Sequence, residues 1–197
     1  MEVPFSNIET FINLADISLT ADCIAALRIL PHLHVFETRH YDGVEPKVVE
    51  PFELACLQRL VVHTYRDPIR LLEFLITPSL RHLTLINPDG NESLLAFLHL
   101  QSECKIQSLE LDSRHLSDMD CIQILERTPA LEMLALWCPQ VLTDKFGERL
   151  TADEGLAFLP LLKTLQYDGS MREPFPEVDR LKEVWPELHV LISRCEI

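Results

Sequence analysis

A chain of 197 residues, 47% of them apolar, is long and apolar enough to form one folded domain with a continuous core. Acidic residues outnumber basic ones by 31 to 17, which gives a net charge of −14. Because such a surface repels phosphate groups and anionic lipids, the charge argues against nucleic-acid and membrane-surface partners. No apolar run reaches the roughly 18 residues that a membrane span requires.

Cysteine spacing and the N-terminal sequence indicate the compartment. The six cysteines are spread along the chain, and no two form a C-x-x-C pair. The first ten residues, MEVPFSNIET, lack the basic and apolar regions of a signal peptide. These features favour reduced thiols over disulfides or a zinc site, and they predict an intracellular protein of the cytosol or nucleus.

A short leucine skeleton, Pro-x-Leu-x-x-Leu-x-Leu, recurs along the chain. Clear copies are TPSLRHLTL at 77–85, TPALEMLAL at 128–136 and LPLLKTLQY at 159–167, and looser copies occupy 30–38, 54–62, 103–111 and 185–193. The first apolar residues of the seven copies, here called the anchors, are Leu33, Leu57, Leu80, Ile106, Leu131, Leu162 and Leu188. The anchors advance 155 residues (188 − 33) in six intervals, about 26 residues for each.

This period is typical of leucine-rich repeats. We therefore predict an α/β fold, a leucine-rich-repeat solenoid with a parallel inner sheet and helices on the convex side. It would have about seven repeats plus a degenerate N-terminal repeat at 1–18. All of residues 1–197 would form a single domain, and the longest interval predicts a rim loop at 138–151.

The first predicted element is a poor strand in which Ile12 and Leu14 point inward. Thr20 is predicted to cap a helix that Pro31 ends. The second unit has no clear helical pattern after its strand, so we expect an irregular return segment. In the third unit, Asp67 followed by Pro68 is a strong helix start. The inward residues of that helix would be Ile69, Leu72, Leu75 and Ile76.

Capping signals mark the later helices. Asn91 follows a turn cluster and is the predicted cap of the fourth unit's helix. Two capping boxes, Ser117-x-x-Asp120 and Thr151-x-x-Glu154, are predicted to open the next two helices. The last helical stripe consists of Val178, Leu181, Val184 and Trp185.

Strand alternation places the residues between the leucines on the sheet face away from the helices, which we call the open face. Its predicted members, strand by strand, are Val35, Glu37 and Arg39; Arg59, Val61 and His63; His82, Thr84 and Ile86; Ser108, Glu110 and Asp112; Met133, Ala135 and Trp137; Thr164, Gln166 and Asp168; Val190, Ile192 and Arg194. The candidate partner-binding residues among them are Arg59, His63, His82, Thr84, Glu110, Asp112, Met133, Trp137, Gln166 and Asp168.

Trp137 and the charges are the most informative features of the predicted open face. Tryptophan is enriched in binding hot spots, so Trp137 beside Met133 is a candidate contact. The alternative is that Trp137 folds under the loop that follows it and packs against Phe146. Basic residues lie on the early strands and acidic residues on the late ones, which would steer a partner with complementary halves.

Catalytic motifs are absent from the sequence. Only five glycines occur, which excludes a glycine-rich phosphate cradle, and no hydrolase, zinc-protease or nucleotide-binding motif is found. The nearest cluster is Ser113, Arg114, His115, Ser117 and Asp118, a remote hydrolase alternative that a capped helix start explains equally well. His63 and His82 lack further ligands at suitable spacing for a metal. We therefore predict no enzyme, no cofactor and no metal.

The repeated LPxLxxLxL blocks, with L-[ST]-x-x-x-x-x-[IL] helices between them, resemble the leucine-rich part of fungal F-box proteins, especially the large mushroom-type families. The stretch LPLLKTLQYDGSMREPF at 159–175 resembles their penultimate block, and the resemblance runs from about Leu19 to Ser193. It implies the substrate-binding half of an adaptor for a cullin-based ubiquitin ligase. The implied partner is another protein, a substrate for ubiquitination.

The F-box itself has no counterpart in residues 1–30. Docking to the ligase core is therefore not expected of this chain. It is interpreted as the recognition half alone, whether a fragment, a shortened gene product or a free-standing decoy. The alternative is an incomplete product without a dedicated partner, whose uncovered first repeat would favour self-association.

Overall fold

The computed structural model describes residues 7–13, 20–40, 50–64, 70–88, 91–100, 105–137, 144–151, 158–168 and 178–193. The strands are β1 (Thr10–Asn13), β2 (Val35–His40), β3 (Phe52–Glu53), β4 (Arg59–Thr64), β5 (Leu75–Ile76), β6 (His82–Ile86), β7 (Ser108–Asp112), β8 (Met133–Leu136), β9 (Thr164–Asp168) and β10 (His189–Ser193). The helices are α1 (Thr20–Arg28), α2 (Arg70–Glu73), α3 (Glu92–Leu100), α4 (Asp118–Glu126), α5 (Asp144–Thr151) and α6 (Val178–Val184).

Eight of these strands form one sheet in the order β1-β2-β4-β6-β7-β8-β9-β10, which is the order of the chain. Every neighbouring pair is parallel. Parallel neighbours need a crossover between them, and most of these crossovers contain a helix. The α/β class with a parallel sheet and helices packed on it is therefore confirmed.

Leucines two residues apart on the strands point to the same side and are buried against the helices. The buried apolar residues on this side of the eight-stranded sheet, from β2 to β9, are Phe36, Leu60, Val62, Leu83, Leu85, Leu109, Leu111, Leu134, Leu136, Leu165 and Tyr167. They share one hydrophobic core with helix residues such as Leu27, Phe97, Leu125 and Phe146. The helix side of the sheet is thus buried from β2 to β9.

All seven anchors are buried, as the repeat pattern predicts. In six of the seven copies the anchor amide donates to the carbonyl three residues earlier, at 3.0–3.2 Å. The partner residue of the seventh anchor, Ile106, lies outside the described residues. The same tight turn therefore enters the strand in copy after copy.

The two end strands are shifted by one residue from their predicted faces. In β1, Phe11 aligns with Phe36 and stacks on its ring at 5.7 Å, whereas Ile12 aligns with Glu37 on the open face. The prediction that Ile12 points inward is wrong, because the larger aromatic side chain takes the core position. Leu14 lies outside the described residues.

In β10 the shift has the same consequence. Val190 aligns with the buried Leu165 and Leu191 with Gln166 of the open face. Val190 and Ile192 were predicted on the open face, and the strand pairing places them on the helix side. The β-branched residues thus take the helix-side positions of the pairing, and of these Val190 packs against the core whereas Ile192 is 52% exposed, as Leu191 is at 50%. Arg194 lies outside the described residues.

The third unit departs from the predicted helix. Helix α2 has only four residues, and Leu75–Ile76 forms strand β5, which pairs with β3 in a separate two-stranded sheet. The Phe52 amide donates to the Phe74 carbonyl at 2.9 Å. The return segment of the second unit therefore gives Leu75–Ile76 backbone hydrogen-bond partners, which these residues would not have if helix α2 continued through them. The predicted start at Asp67, Pro68 and Ile69 lies outside the described residues.

The predicted rim loop at 138–151 contains a helix in its second half. Helix α5 spans Asp144–Thr151 and buries Phe146 and Leu150 in the core. Thr151 is the last residue of this helix, and its hydroxyl donates to the Gly147 carbonyl at 2.9 Å. The predicted capping box of Thr151 and Glu154 stays a prediction, because Glu154 lies outside the described residues. Residues 138–143 and 152–157 lie outside the described residues.

The Ser117 capping box is confirmed. Ser117 precedes α4, its hydroxyl accepts from the Asp120 amide, and the Asp120 carboxylate accepts from the Ser117 amide at 2.8 Å. Asn91 directly precedes α3, and its carbonyl accepts from the Leu95 amide. Both helices begin where their sequence signals predict. None of the helices in the described ranges is long and apolar enough to cross a bilayer.

We predict that Leu109→Ala lowers the free energy of unfolding by about 2–5 kcal/mol, because the substitution leaves a cavity at a fully buried position of β7. Urea titration provides the measurement. Leu161→Ala is the control, since Leu161 is 51% exposed and its truncation is expected to change stability by less than about 0.5 kcal/mol. Equal losses for the two variants would contradict the assigned core.

Burial raises the pKa of the Tyr167 phenol above its ordinary value of 10.0. The unfolded chain therefore releases this proton at a lower pH than the folded one, so the stability contribution is present below pH 10 and is lost as the pH rises. We predict that stability falls less steeply in Tyr167→Phe than in the wild type between about pH 9 and about pH 11. Urea midpoints across that interval test this, and parallel slopes would contradict it.

Candidate functional site

In-register pairing arranges the open-face side chains in three columns across the strands. The first column includes Arg59, His82, Ser108, Met133 and Thr164. The second includes Glu37, Val61, Thr84, Glu110, Ala135 and Gln166. The third includes Arg39, His63, Ile86 and Asp112. Candidate residues far apart in sequence thus become neighbours on one surface.

Trp137 extends the third column. Its amide donates to the Leu111 carbonyl at 2.8 Å, which continues the pairing of β8 by one residue. Its indole nitrogen Nε1 donates to Glu110 Oε1 at 2.9 Å. This bond holds the indole on the open face, whereas Phe146 is buried on the helix side. The alternative in which Trp137 packs against Phe146 is therefore wrong.

Glu110 sits between two neutral donors from the adjacent strands. Besides Trp137, the Thr84 hydroxyl donates to Glu110 Oε2 at 3.3 Å. A carboxylate has about four acceptor positions, so these two bonds leave capacity for a further donor. Neither donor carries a charge that would compensate the carboxylate. The middle of the open face thus carries a negative charge beside an aromatic ring.

Basic residues lie on the strands to one side of Glu110. Arg59 and His82 are aligned on β4 and β6, and both are exposed. Within the described part of the chain, neither side chain makes a hydrogen bond or ion pair. The Nε2 atom of His63, in the third column, lies 3.7 Å from Oε1 of Glu37, in the second column. Arg59 and His82 therefore precede Glu110 across the sheet as predicted, whereas Glu37 on β2 is an acidic residue among the early strands.

The remaining candidates differ in exposure. Met133 and Gln166 are half-buried on the open face, as is Asp112. The side chain of Asp168 is not among those described. Val61 and Ala135 are on this face yet buried, and their neighbours in the second column are Glu37 and Thr84 for Val61, and Glu110 and Gln166 for Ala135. The centre of the open face therefore consists of closely packed side chains.

Ile12 and Leu191 were missed by sequence reasoning. Both lie in the second column of the open face, on the two end strands, and both are at least half exposed, at 52% and 50%. The signal that could have found them is the pair of residues that flanks each one, Phe11 and Asn13 in β1 and Val190 and Ile192 in β10. If these flanking residues, and not the leucine spacing, are taken to mark the inward positions, Ile12 and Leu191 fall on the open face. They add apolar surface at both ends of the face.

The Ser113 to Asp118 cluster has a structural explanation. Ser113 is fully buried, and its hydroxyl donates to the Pro88 carbonyl at 2.8 Å while accepting from the amides of His115 and Leu116. The proton of the Ser113 hydroxyl is therefore already engaged in a hydrogen bond to the Pro88 carbonyl. Ser117 caps α4 in the same segment. These bonds tie the end of β7 to the turn that follows β6.

The two histidines considered for a metal lie in different columns. His82 aligns with Arg59 and His63 aligns with Ile86, so they are separated along the strand direction. Among the residues that the structure describes, no group of three or more His, Cys, Asp or Glu side chains is placed to hold a metal ion. His63 contacts Glu37 instead.

Comparison with known proteins gives no family assignment. No protein-family model matches the chain, and no curated protein matches it.

We predict that Glu110→Ala lowers the free energy of unfolding by about 1 kcal/mol, because the indole and the Thr84 hydroxyl lose their acceptor. It should also increase acrylamide quenching of Trp137. Ser108→Ala is the matched control, since Ser108 lies on the same strand and face and its side chain makes no hydrogen bond within the described ranges. If both variants behave like the wild type, Glu110 does not orient Trp137.

Proposed function

We propose that this chain is a leucine-rich-repeat module that binds another protein through its open face. The fold part of the proposal is supported by eight parallel strands in chain order, by the buried anchors and by the repeated turn before each strand. Stacked units of this kind bury a continuous core and form extended surfaces. The chain resembles the leucine-rich part of fungal F-box proteins, so we propose that its partner is a ubiquitination substrate.

A single observation carries the binding part of the proposal, namely the bond between Trp137 and Glu110. A half-buried tryptophan held in one orientation contributes contact area without losing side-chain freedom on binding. Met133 on the same strand adds half-buried apolar surface, and the acidic residues Glu110 and Asp112 lie on the adjacent strand. This combination of an aromatic centre and a polar rim is the composition of protein interfaces.

The experiment places a photo-crosslinking residue at one of two positions. Thr164 is on the open face beside Met133, whereas Met119 is 54% exposed on helix α4. We expect crosslinked partners from position 164 and few from position 119 in cells that express the protein. With the crosslinker at position 164, Trp137→Ala should reduce the yield of crosslinked partner by about tenfold or more, as loss of a hot-spot residue does.

A matched control comes from Trp185, the second tryptophan of the chain, which is buried on the helix side. Trp185→Phe should leave the crosslinks from position 164 unchanged. Partners captured equally from both positions, or unaffected by Trp137→Ala, would argue against binding by the open face.

A further inference from the structure

The open face carries two charged spots of opposite sign at a fixed separation. The cationic spot is Arg59 with its aligned neighbour His82, and the anionic spot is Glu110 beside Trp137. Arginine is charged at every physiological pH, so the cationic spot is permanent. The two spots lie on the same face of one continuous sheet, and the pairing of the strands fixes their relative position.

The separation follows from the register. β4 and β7 are two strands apart in the sheet, and Glu110 is level with Val61, which is two residues beyond Arg59. With about 4.8 Å between strands and about 3.3 Å per residue along them, the Cα atoms of Arg59 and Glu110 are about 12 Å apart. An extended segment covers this distance in about three or four residues.

Neither spot is neutralised within the described part of the chain. Arg59 and His82 make no ion pair there, and Glu110 contacts only the neutral donors Thr84 and Trp137. A bidentate guanidinium or an ammonium group fits the two remaining acceptor positions of Glu110. The Trp137 indole lies beside this carboxylate, because its Nε1 donates to Oε1.

We infer that the open face binds an extended segment of a partner protein that carries a basic and an acidic side chain about three or four residues apart. The basic side chain occupies Glu110 and Trp137, and the acidic one occupies Arg59 and His82. This inference rests on the proposed function and adds the chemistry of the partner. The charge complementarity of the two spots selects this occupant over a uniformly charged or a neutral segment.

The probes are labelled extended peptides with the same neutral background. One carries a Lys and a Glu about four residues apart, one carries two Lys, one two Glu and one is uncharged. Affinity is read from fluorescence anisotropy of the label. For wild type we expect the mixed peptide to bind about fivefold to tenfold more tightly than the others, and added salt should reduce the difference.

Single charge reversals give the sharpest test. Glu110→Lys should make the two-Glu peptide the preferred ligand, and Arg59→Glu should make the two-Lys peptide preferred. The matched controls are Glu187→Lys and Arg127→Glu, which make the same changes of net charge at exposed positions off the open face. Both controls should keep the preference for the mixed peptide.

A second readout locates the peptide. Trp185→Phe leaves Trp137 as the sole tryptophan, and its emission should change on binding the mixed peptide. The anisotropy measurements do not use this variant, so the test stands even if Trp185→Phe folds poorly.

Three results would overturn the inference. These are an unchanged ranking in both reversal variants, no binding of any peptide below about 1 mM, and self-association of the chain that Glu110→Lys abolishes, which would assign the face to a second copy. If crosslinks from position 164 persist while the peptides are not ranked by charge, the proposed function stands and this inference fails. Loss of the crosslinks themselves would instead count against the proposed function.

Discussion

In-register parallel pairing is the constraint on which the rest of this structure depends. A one-residue slip in a strand exchanges its two faces, so a strand with leucines on one side has a single favourable register. In β4, β6 and β7 the leucines align across the sheet, and their burial fixes the alignment. The side chains between them are then carried onto the opposite face in columns.

The open face inherits its chemistry from this constraint rather than from local sequence. Thr84, Glu110 and Trp137 belong to three successive units, yet their side chains form one hydrogen-bonded group. The core holds the strands at a fixed spacing, so this group is assembled before any ligand arrives. A surface built in this way presents its charges at defined distances, which is what a selective interaction requires.

The helix side shows how much variation the same core accepts. Most units return through a helix, whereas the second and third units return through the β3–β5 pair and a helix of one turn. What these return segments have in common is buried apolar side chains such as Leu54, Leu72 and Phe97. Burial of apolar area is thus kept while the secondary structure that supplies it changes.

The sequence by itself determined the class of fold, the seven anchors and the faces of the inner strands, because leucine periodicity reports burial directly. It also located the capping box at Ser117, a local interaction that needs no distant partner. Of the candidate site, it predicted the open-face residues of the inner strands, and it left two alternative placements for Trp137.

Only the tertiary structure decided the rest. Phe11 and Val190 take the inward positions of the end strands, since among the described residues each end strand pairs with one neighbour, and the match to that neighbour outweighs the leucine spacing. Strand β5 replaced a predicted helix because β3 offers it backbone partners. The contact of Trp137 with Glu110 joins residues 27 apart in sequence, and such contacts arise from the stacking of strands, which no local pattern encodes.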